Sequence, residues 1–323
     1  MTFNAEQIRE RTDVIRAELA KVLVGQKEVV ENLLVTILAG GHAMLTGVPG
    51  LGKTMLVKSL AQLLSLSFKR IQFTPDLMPA DIFGTEVLEI AQEDGKRTFR
   101  FIKGPIFTNL LLADEINRTP PKTQAALLEA MGEGHVTAAG KTYRLEAPFF
   151  VLATRNPVES EGIYPLPEAE LDRFMLNITM DYLSLQDEVS MVRQTTSPDF
   201  ETLSPVLDAA DLIKMQLYVR EVPVADNVIE YAVKLVNATR PGSATASERV
   251  KKMVQWGAGS RASQALVLAG KARALLHGRK NVAMEDIHAL AHPVLRHRML
   301  MSFHAKADNV TPDDIIQELL DKL

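Results

Sequence analysis

The stretch GVPGLGKT at residues 47–54 limits what this chain can fold into more than any other part of it. It matches G-x-x-x-x-G-K-[ST], a loop that needs a buried strand before it and a helix after it. Ala43-Met44-Leu45 reads as the strand. Met55, Leu56, Leu60, Ala61 and Leu63-Leu64 read as one apolar face of the helix. The residue types carry the chemistry. Gly47, Gly50 and Gly52 let the backbone curl without Cβ clashes, so several N–H groups can point at one phosphate chain. The helix start adds the positive end of its dipole. Lys53 can reach the β- and γ-phosphates, and Thr54 can offer a hydroxyl to Mg²⁺.

A length of 323 residues suits one large or two ordinary domains, and a 46% hydrophobic content supplies a sizeable core. The formal net charge of −4 disfavours a protein that wraps nucleic acid on a broad basic face. With no cysteine, disulfides, cysteine-ligated clusters and thiolate zinc sites are excluded. The first residues, MTFNAEQIRERTDVIRAEL, lack the apolar centre of a signal peptide. The apolar stretch 33–45 is too short to span a bilayer. A soluble cytoplasmic protein without membrane insertion is expected.

Taken in order, 5–23 reads as a helix with Ile8, Thr12, Ile15, Leu19 and Val22 on one stripe, and 29–39 as a second, more apolar helix. Further strands are expected at 67–72, 110–113, 149–153 and 174–180, and helices at 120–131 and 168–172. Two hairpins are expected, at 86–102 about Asp94-Gly95 and at 133–147 about Ala139-Gly140. This is an α/β pattern: a five-stranded parallel sheet flanked by helices, with two inserted hairpins. Near residue 184 the strand signals stop. Helical stripes follow at 187–194, 208–219, 226–238, 248–256, 261–277, 285–296 and 312–320. The domains expected are therefore 1–184 and an all-helical 185–323.

Phosphate binding alone does not give hydrolysis; a carboxylate at the end of a buried strand is also needed. TNLLLADEINR at 108–118 supplies two, Asp114 for the metal and Glu115 to polarise the attacking water. Asn156 follows another apolar strand and could position that water. Arg118, Arg173 and Arg261 are the candidate arginines for the charge that develops on a transferring phosphoryl group.

These residues carry a resemblance to the AAA+ ATPases and, among them, to the MoxR family. It covers nearly the whole chain: VGQ at 24–26, the 47–54 loop, QFTPDLMPADIFG at 72–84, GPIFTNLLLADEINRTPPKTQAALLEAM at 104–131, ATRNPVE at 153–159, LPEAELDRF at 166–174, SRASQALVLAGKARAL at 260–275 and EDIHALAHPVLRHRM at 285–299. The resemblance implies an ATPase that uses ATP and Mg²⁺ in a ring homo-oligomer, most often a hexamer. It implies chaperone-like remodelling of partner proteins, with von Willebrand factor A domain proteins as leading clients and no nucleic acid.

By the same resemblance, Thr54 and Asp114 hold Mg²⁺, and Glu115 is the catalytic base. Asn156 resembles the sensor 1 residue. Arg261 resembles sensor 2, acting on its own subunit's nucleotide. Arg173 resembles an arginine finger reaching the neighbour's nucleotide, with Arg118 the other candidate for that role. The nucleotide-binding set is Val24, Gly25, Gln26, Val48, Pro49, Gly50, Leu51, Gly52, Lys53, Thr54 and Met55, of which the first three contact adenine. The chain departs from the family pattern at Ser260, where proline is common, and at Arg155, where glutamine is. The competing readings are the motor subunit of a metal chelatase, a nucleic-acid motor and a nucleotide-dependent scaffold.

Overall fold

A computed structural model describes residues 3–48, 50–90, 97–156, 163–196 and 202–323. Pro49, the Asp94-Gly95 turn and Pro157 of the 153–159 motif lie outside the described residues.

Helix α1 (Ala5–Ala20) opens on a capping box: Asn4 accepts from the Gln7 amide, and the Gln7 side chain accepts from the Asn4 amide. Its buried stripe is Ile8, Thr12, Ile15 and Leu19. Helix α2 (Lys27–Leu38) leads through a two-glycine turn to β1 (Ala43–Gly47), the phosphate loop and α3 (Lys53–Leu63). Strand β2 (Phe68–Gln72) is followed by a one-turn helix, α4 (Pro79–Phe83), that the two prolines of 73–84 concealed in the sequence. The first hairpin is β3 (Gly84–Ile90) with β4 (Arg97–Lys103). Then come β5 (Leu110–Asp114) and α5 (Pro121–Glu133). The second hairpin is β6 (His135–Ala138) with β7 (Lys141–Arg144), turning on Ala139 and Gly140, both at positive φ as a two-residue primed turn requires. Strand β8 (Phe150–Arg155), the short helix α6 (Glu168–Leu171) and β9 (Leu176–Met180) complete this part.

The five sheet strands are all parallel, in the order β2-β5-β8-β1-β9. Burial explains their texture. Inner β5 and β8 are apolar up to their carboxyl ends, where Asp114 and Thr154 stand, because both faces are covered, while edge strands β2 and β9 carry polar residues along their length. Alternation sorts side chains onto two cores. Leu45, Leu110, Leu112, Phe150 and Leu152 face one side; Met44, Leu111, Ala113, Val151 and Ala153 face the other, with α5. The two hairpins meet through Phe101 stacked on Tyr143, 4.4 Å between ring centroids.

The remaining helices are α7 (Leu185–Thr195), α8 (Ala209–Glu221), α9 (Asp226–Ala238), α10 (Glu248–Met253), α11 (Ser260–Leu276), α12 (Met284–Leu295), α13 (Phe303–Ala307) and α14 (Pro312–Lys322). Among its described residues this part is helical but for one ribbon. The helix expected over 248–256 stops at Met253, and β10 (Val254–Trp256) pairs antiparallel with β11 (Leu300–Met301). The β-branched Val254, followed by Gly257, ends the helical run. The change of element type near 184 is no break in packing: Leu212, Val236, Leu266 and Leu290 join the core formed by α1, α2, α3 and one sheet face.

Candidate active site

The phosphate loop, Asp114 and Thr154 all sit at the carboxyl ends of neighbouring parallel strands, where open α/β sheets bind ligands. Gly47 ends β1 so close to β9 that an added Cβ would meet the Met180 carbonyl at 2.5 Å. Gly52 caps α3 in the left-handed region at φ 74°, and the helix begins directly on Lys53 and Thr54. Gly50, Leu51, Gly52, Lys53, Thr54 and Met55 thereby line a cleft of about 520 Å³, with Arg70, Gln72, Asp114, Glu115, Thr154 and Asn156 opposite.

Lys53 is half-buried, and its ammonium donates to the Gly47 carbonyl. Burial pulls its pKa below the usual lysine value, and the carboxylates of Asp114 and Glu115 push it back up. One hydroxyl organises both acids. Thr154 Oγ1 donates to Asp114 Oδ1 at 2.5 Å and accepts from the Glu115 amide at 2.8 Å. Arg70 from edge strand β2 reaches the other Asp114 oxygen at 2.6 Å. The Glu115 carboxylate accepts from Gln72 Nε2 at 2.7 Å and pairs with Arg118 Nε at 3.1 Å. Glu115 itself lies at φ 58°, ψ 47°, a left-handed conformation that costs on the order of 1–3 kcal/mol for a residue other than glycine. The Thr154 hydroxyl and the Gln72 amide hold it there.

A second cleft of about 370 Å³ continues from Gly50, Leu51, Gly52 and Met55. Val22, Leu23, Val24, Gln26, Tyr182, Leu183 and Met191 supply its mostly apolar walls. Gly25 lines neither cleft but is wedged against Leu183 and Asp187; its φ of 74° and the 2.9 Å to each from an added Cβ account for glycine there.

The structure therefore brings together Val24, Gln26, Gly50 to Met55, Asp114, Glu115 and Asn156, with Arg118 beside Glu115. Val48 lines neither cleft, and Arg173 and Arg261 are elsewhere. Arg173 precedes β9 at the opposite end of the sheet. Ala43 pairs with Leu176 there and Gly47 with Met180 at the cleft, four residue steps of about 3.3 Å away. Its guanidinium donates to the Leu128 carbonyl at 2.9 Å, across Gly132. Arg261 opens α11 and pairs with Asp172 at 3.6 Å, next to Arg173. The expectation that Arg261 reaches the nucleotide of its own chain thus meets a different geometry, because α11 packs on α1 and α2 rather than over the phosphate loop. Thr154 and Arg70 were missed as site residues. The apolar run ending in Thr154 was visible, but that its hydroxyl sits beside the acids depends on which strands are neighbours.

The model for the ATPase family associated with various cellular activities (AAA) matches residues 42–176, and an AAA lid domain model matches 246–319. Chaperone MoxR1 of Mycobacterium tuberculosis is 40% identical over 304 residues, covering 94% of this chain and 79% of that protein. Protein MoxR of Methylorubrum extorquens is 33% identical over 92% of this chain and 90% of its own length.

The chain belongs to the MoxR family of AAA+ ATPases.

Another relative of this MoxR-family chain is YeaC of Bacillus subtilis, an uncharacterised protein 44% identical over 93% of this chain and 90% of its own. The crystal structure of a candidate ATPase from Cytophaga hutchinsonii superposes with a TM-score of 0.90 at 40% identity, covering 99% of this chain and 96% of that one. The expected architecture, an AAA+ α/β core with a parallel five-stranded sheet and a helical lid, is the one found. Among the described residues, no helix is long and apolar enough to cross a membrane.

Proposed function

We propose that this chain binds ATP with Mg²⁺ in the cleft at 47–55 and hydrolyses it in a ring of identical subunits, six in number, to remodel partner proteins. The observation that carries this reading is the opposition, in one cleft, of Lys53 and Thr54 at a helix start to Asp114 and Glu115 at a strand end. The backbone amides and Lys53 bind the phosphates. A hydroxyl and a carboxylate, Thr54 and Asp114, suit a hard divalent cation. Among the described residues there is no group of three or more His, Cys, Asp or Glu side chains that could form a protein-only metal cage. That fits an ion held largely by phosphate and water. When bound, Mg²⁺ neutralises charge on the phosphates. Glu115 takes the proton of the attacking water, and Asn156 orients it. The apolar cleft beside Val24 and Gln26 accommodates the adenine.

Arg173, far from its own cleft, is assigned to the nucleotide of the adjacent subunit, and Arg261 joins it there through their common neighbour Asp172. We place the division of labour at 1–184 for the ATPase core and 185–323 for the lid, and the protein in the cytoplasm. Clients with von Willebrand factor A domains remain the first to try. The test is phosphate release and oligomer mass with and without ATP and Mg²⁺. Wild type should turn over ATP and assemble, and Lys53→Ala should lose tight ATP binding and turnover while staying folded and able to join rings with subunits that bind ATP. Nucleotide-independent behaviour of both proteins would overturn the reading.

A further inference from the structure

The loop that carries Arg173 is held by one side chain from the lid. Arg298 follows α12, and only 3% of its side chain is exposed. Its Nε donates to Asp172 Oδ1 at 2.7 Å. Its Nη2 donates to the carbonyls of Phe174 at 2.7 Å and Asp172 at 3.3 Å. Its Nη1 donates to the carbonyls of Met175, at 3.0 Å, and of Val294 in α12. The backbone on both sides of Arg173 is thus tied to one planar guanidinium. His297 adds a bond from Nε2 to the Phe174 carbonyl at 3.0 Å. The Arg173 guanidinium lies over Gly132, where a Cβ would collide with its Nη1, and donates to the Leu128 carbonyl at 2.9 Å.

Burying a cation this deeply is costly unless every donor is used and a carboxylate is near. Burial draws the Arg298 pKa below the usual arginine value, and Asp172 raises it again. An apolar side chain of the same length could fill the space between α12 and the sheet. It could not fix three carbonyl directions at once, whereas the flat, five-donor guanidinium can.

We propose that Arg298 is the positioning residue for Arg173: a lid arginine that fixes the 172–175 turn so that the Arg173 guanidinium is presented to the adjacent subunit. This rests on the reading of Arg173 as acting on a neighbour's nucleotide. It gives the lid a direct hold on the hydrolysis rate of the next subunit without contact to any nucleotide. A misplacement of about 1 Å in such a group costs on the order of 10²-fold in rate.

The experiment uses the full chain with Arg298→Met and Arg298→Lys, Arg173→Ala, and the Arg173→Ala/Arg298→Met double variant. Turnover is read by phosphate release, nucleotide affinity by a fluorescent ATP analogue, and folding by thermal melting. Arg298→Met should lose on the order of 10²-fold in kcat with analogue affinity unchanged. Arg298→Lys, with fewer acceptors in reach, should fall between it and wild type. The double variant should be no slower than Arg173→Ala alone, since both remove the same contribution.

Mixed with Lys53→Ala subunits, which supply an intact Arg173 and Arg298, Arg298→Met should regain turnover. A purely structural role within its own subunit predicts no regain, and that result overturns the proposal. So does wild-type kcat in Arg298→Met, or a further loss in the double variant equal to that of Arg298→Met alone. Should Arg298→Met fail to fold, Arg298→Lys carries the same test, and wild-type kcat there overturns the proposal. Full turnover in Arg173→Ala would instead sink the underlying reading of Arg173. An inactive Arg173→Ala beside a fully active Arg298→Met would sink only the role of Arg298.

Discussion

Thr154 and Asp114 lie at the ends of adjacent strands, and the Thr154 hydroxyl donates to the Asp114 carboxylate at 2.5 Å while accepting from the Glu115 amide at 2.8 Å. A single hydroxyl thus orients one acid and helps hold the next in a left-handed backbone conformation.

Replacing Thr154 with valine keeps the shape and removes that hydroxyl. The Glu115 amide loses its acceptor, a loss worth roughly 1–3 kcal/mol for a buried group. Thr154→Val should cut ATP turnover about 10- to 100-fold, with ATP affinity changed little because the phosphate loop is untouched. Calorimetric binding and steady-state phosphate release check this. Wild-type turnover would mean that the backbone at Glu115 is held by other contacts.

Arg173→Ala should bind ATP as wild type does yet hydrolyse it on the order of 10³- to 10⁵-fold more slowly, the usual worth of an arginine finger. Mixed with Lys53→Ala under conditions of subunit exchange, it should regain activity, because the Lys53→Ala neighbour offers an intact Arg173 to an intact phosphate loop. A flat, inactive profile across mixing ratios would move the role to Arg118, which sits beside Glu115.

His42 gives a pH dependence with a definite sign. It is largely buried and neutral: Val151 N–H donates to Nδ1 at 3.0 Å, and Nε2–H donates to the Met131 carbonyl at 3.2 Å. Burial depresses its pKa from 6.5 to about 4, with the Met131 carbonyl opposing. Between these values the unfolded chain binds more protons than the folded one. Its contribution is therefore complete above the unfolded value and is lost as the pH falls toward 4. By about pH 5 the loss should reach about 2 kcal/mol. Urea midpoints near pH 7.5 and pH 5 should fall less steeply for His42→Asn than for wild type, from a lower start. Equal slopes would contradict this.

Much of this was legible in the sequence because it depends on short-range pattern. GVPGLGKT, the apolar run into Asp114-Glu115 and the helical stripes are local signals, and apart from the end of the 248–256 stripe the elements formed where their period placed them. What escaped depends on contacts between distant segments. Thr154 matters only because β8 lies beside β5, and Arg298 only because α12 packs near the start of β9. The Val254–Trp256 strand exists because Leu300–Met301 is there to pair with it. Arg261 shows the limit from the other side: its motif was recognisable, but the path of α11 decides which nucleotide it can approach.

Glu115 is assigned to activate water for ATP hydrolysis in this cleft, and Glu115→Gln isolates that role. The substitution keeps the side chain's shape and removes its basicity. ATP affinity should be unchanged, turnover should fall by on the order of 10²-fold or more, and the ATP-bound oligomer should accumulate. Turnover near that of wild type, in protein that still binds ATP, would contradict the assignment.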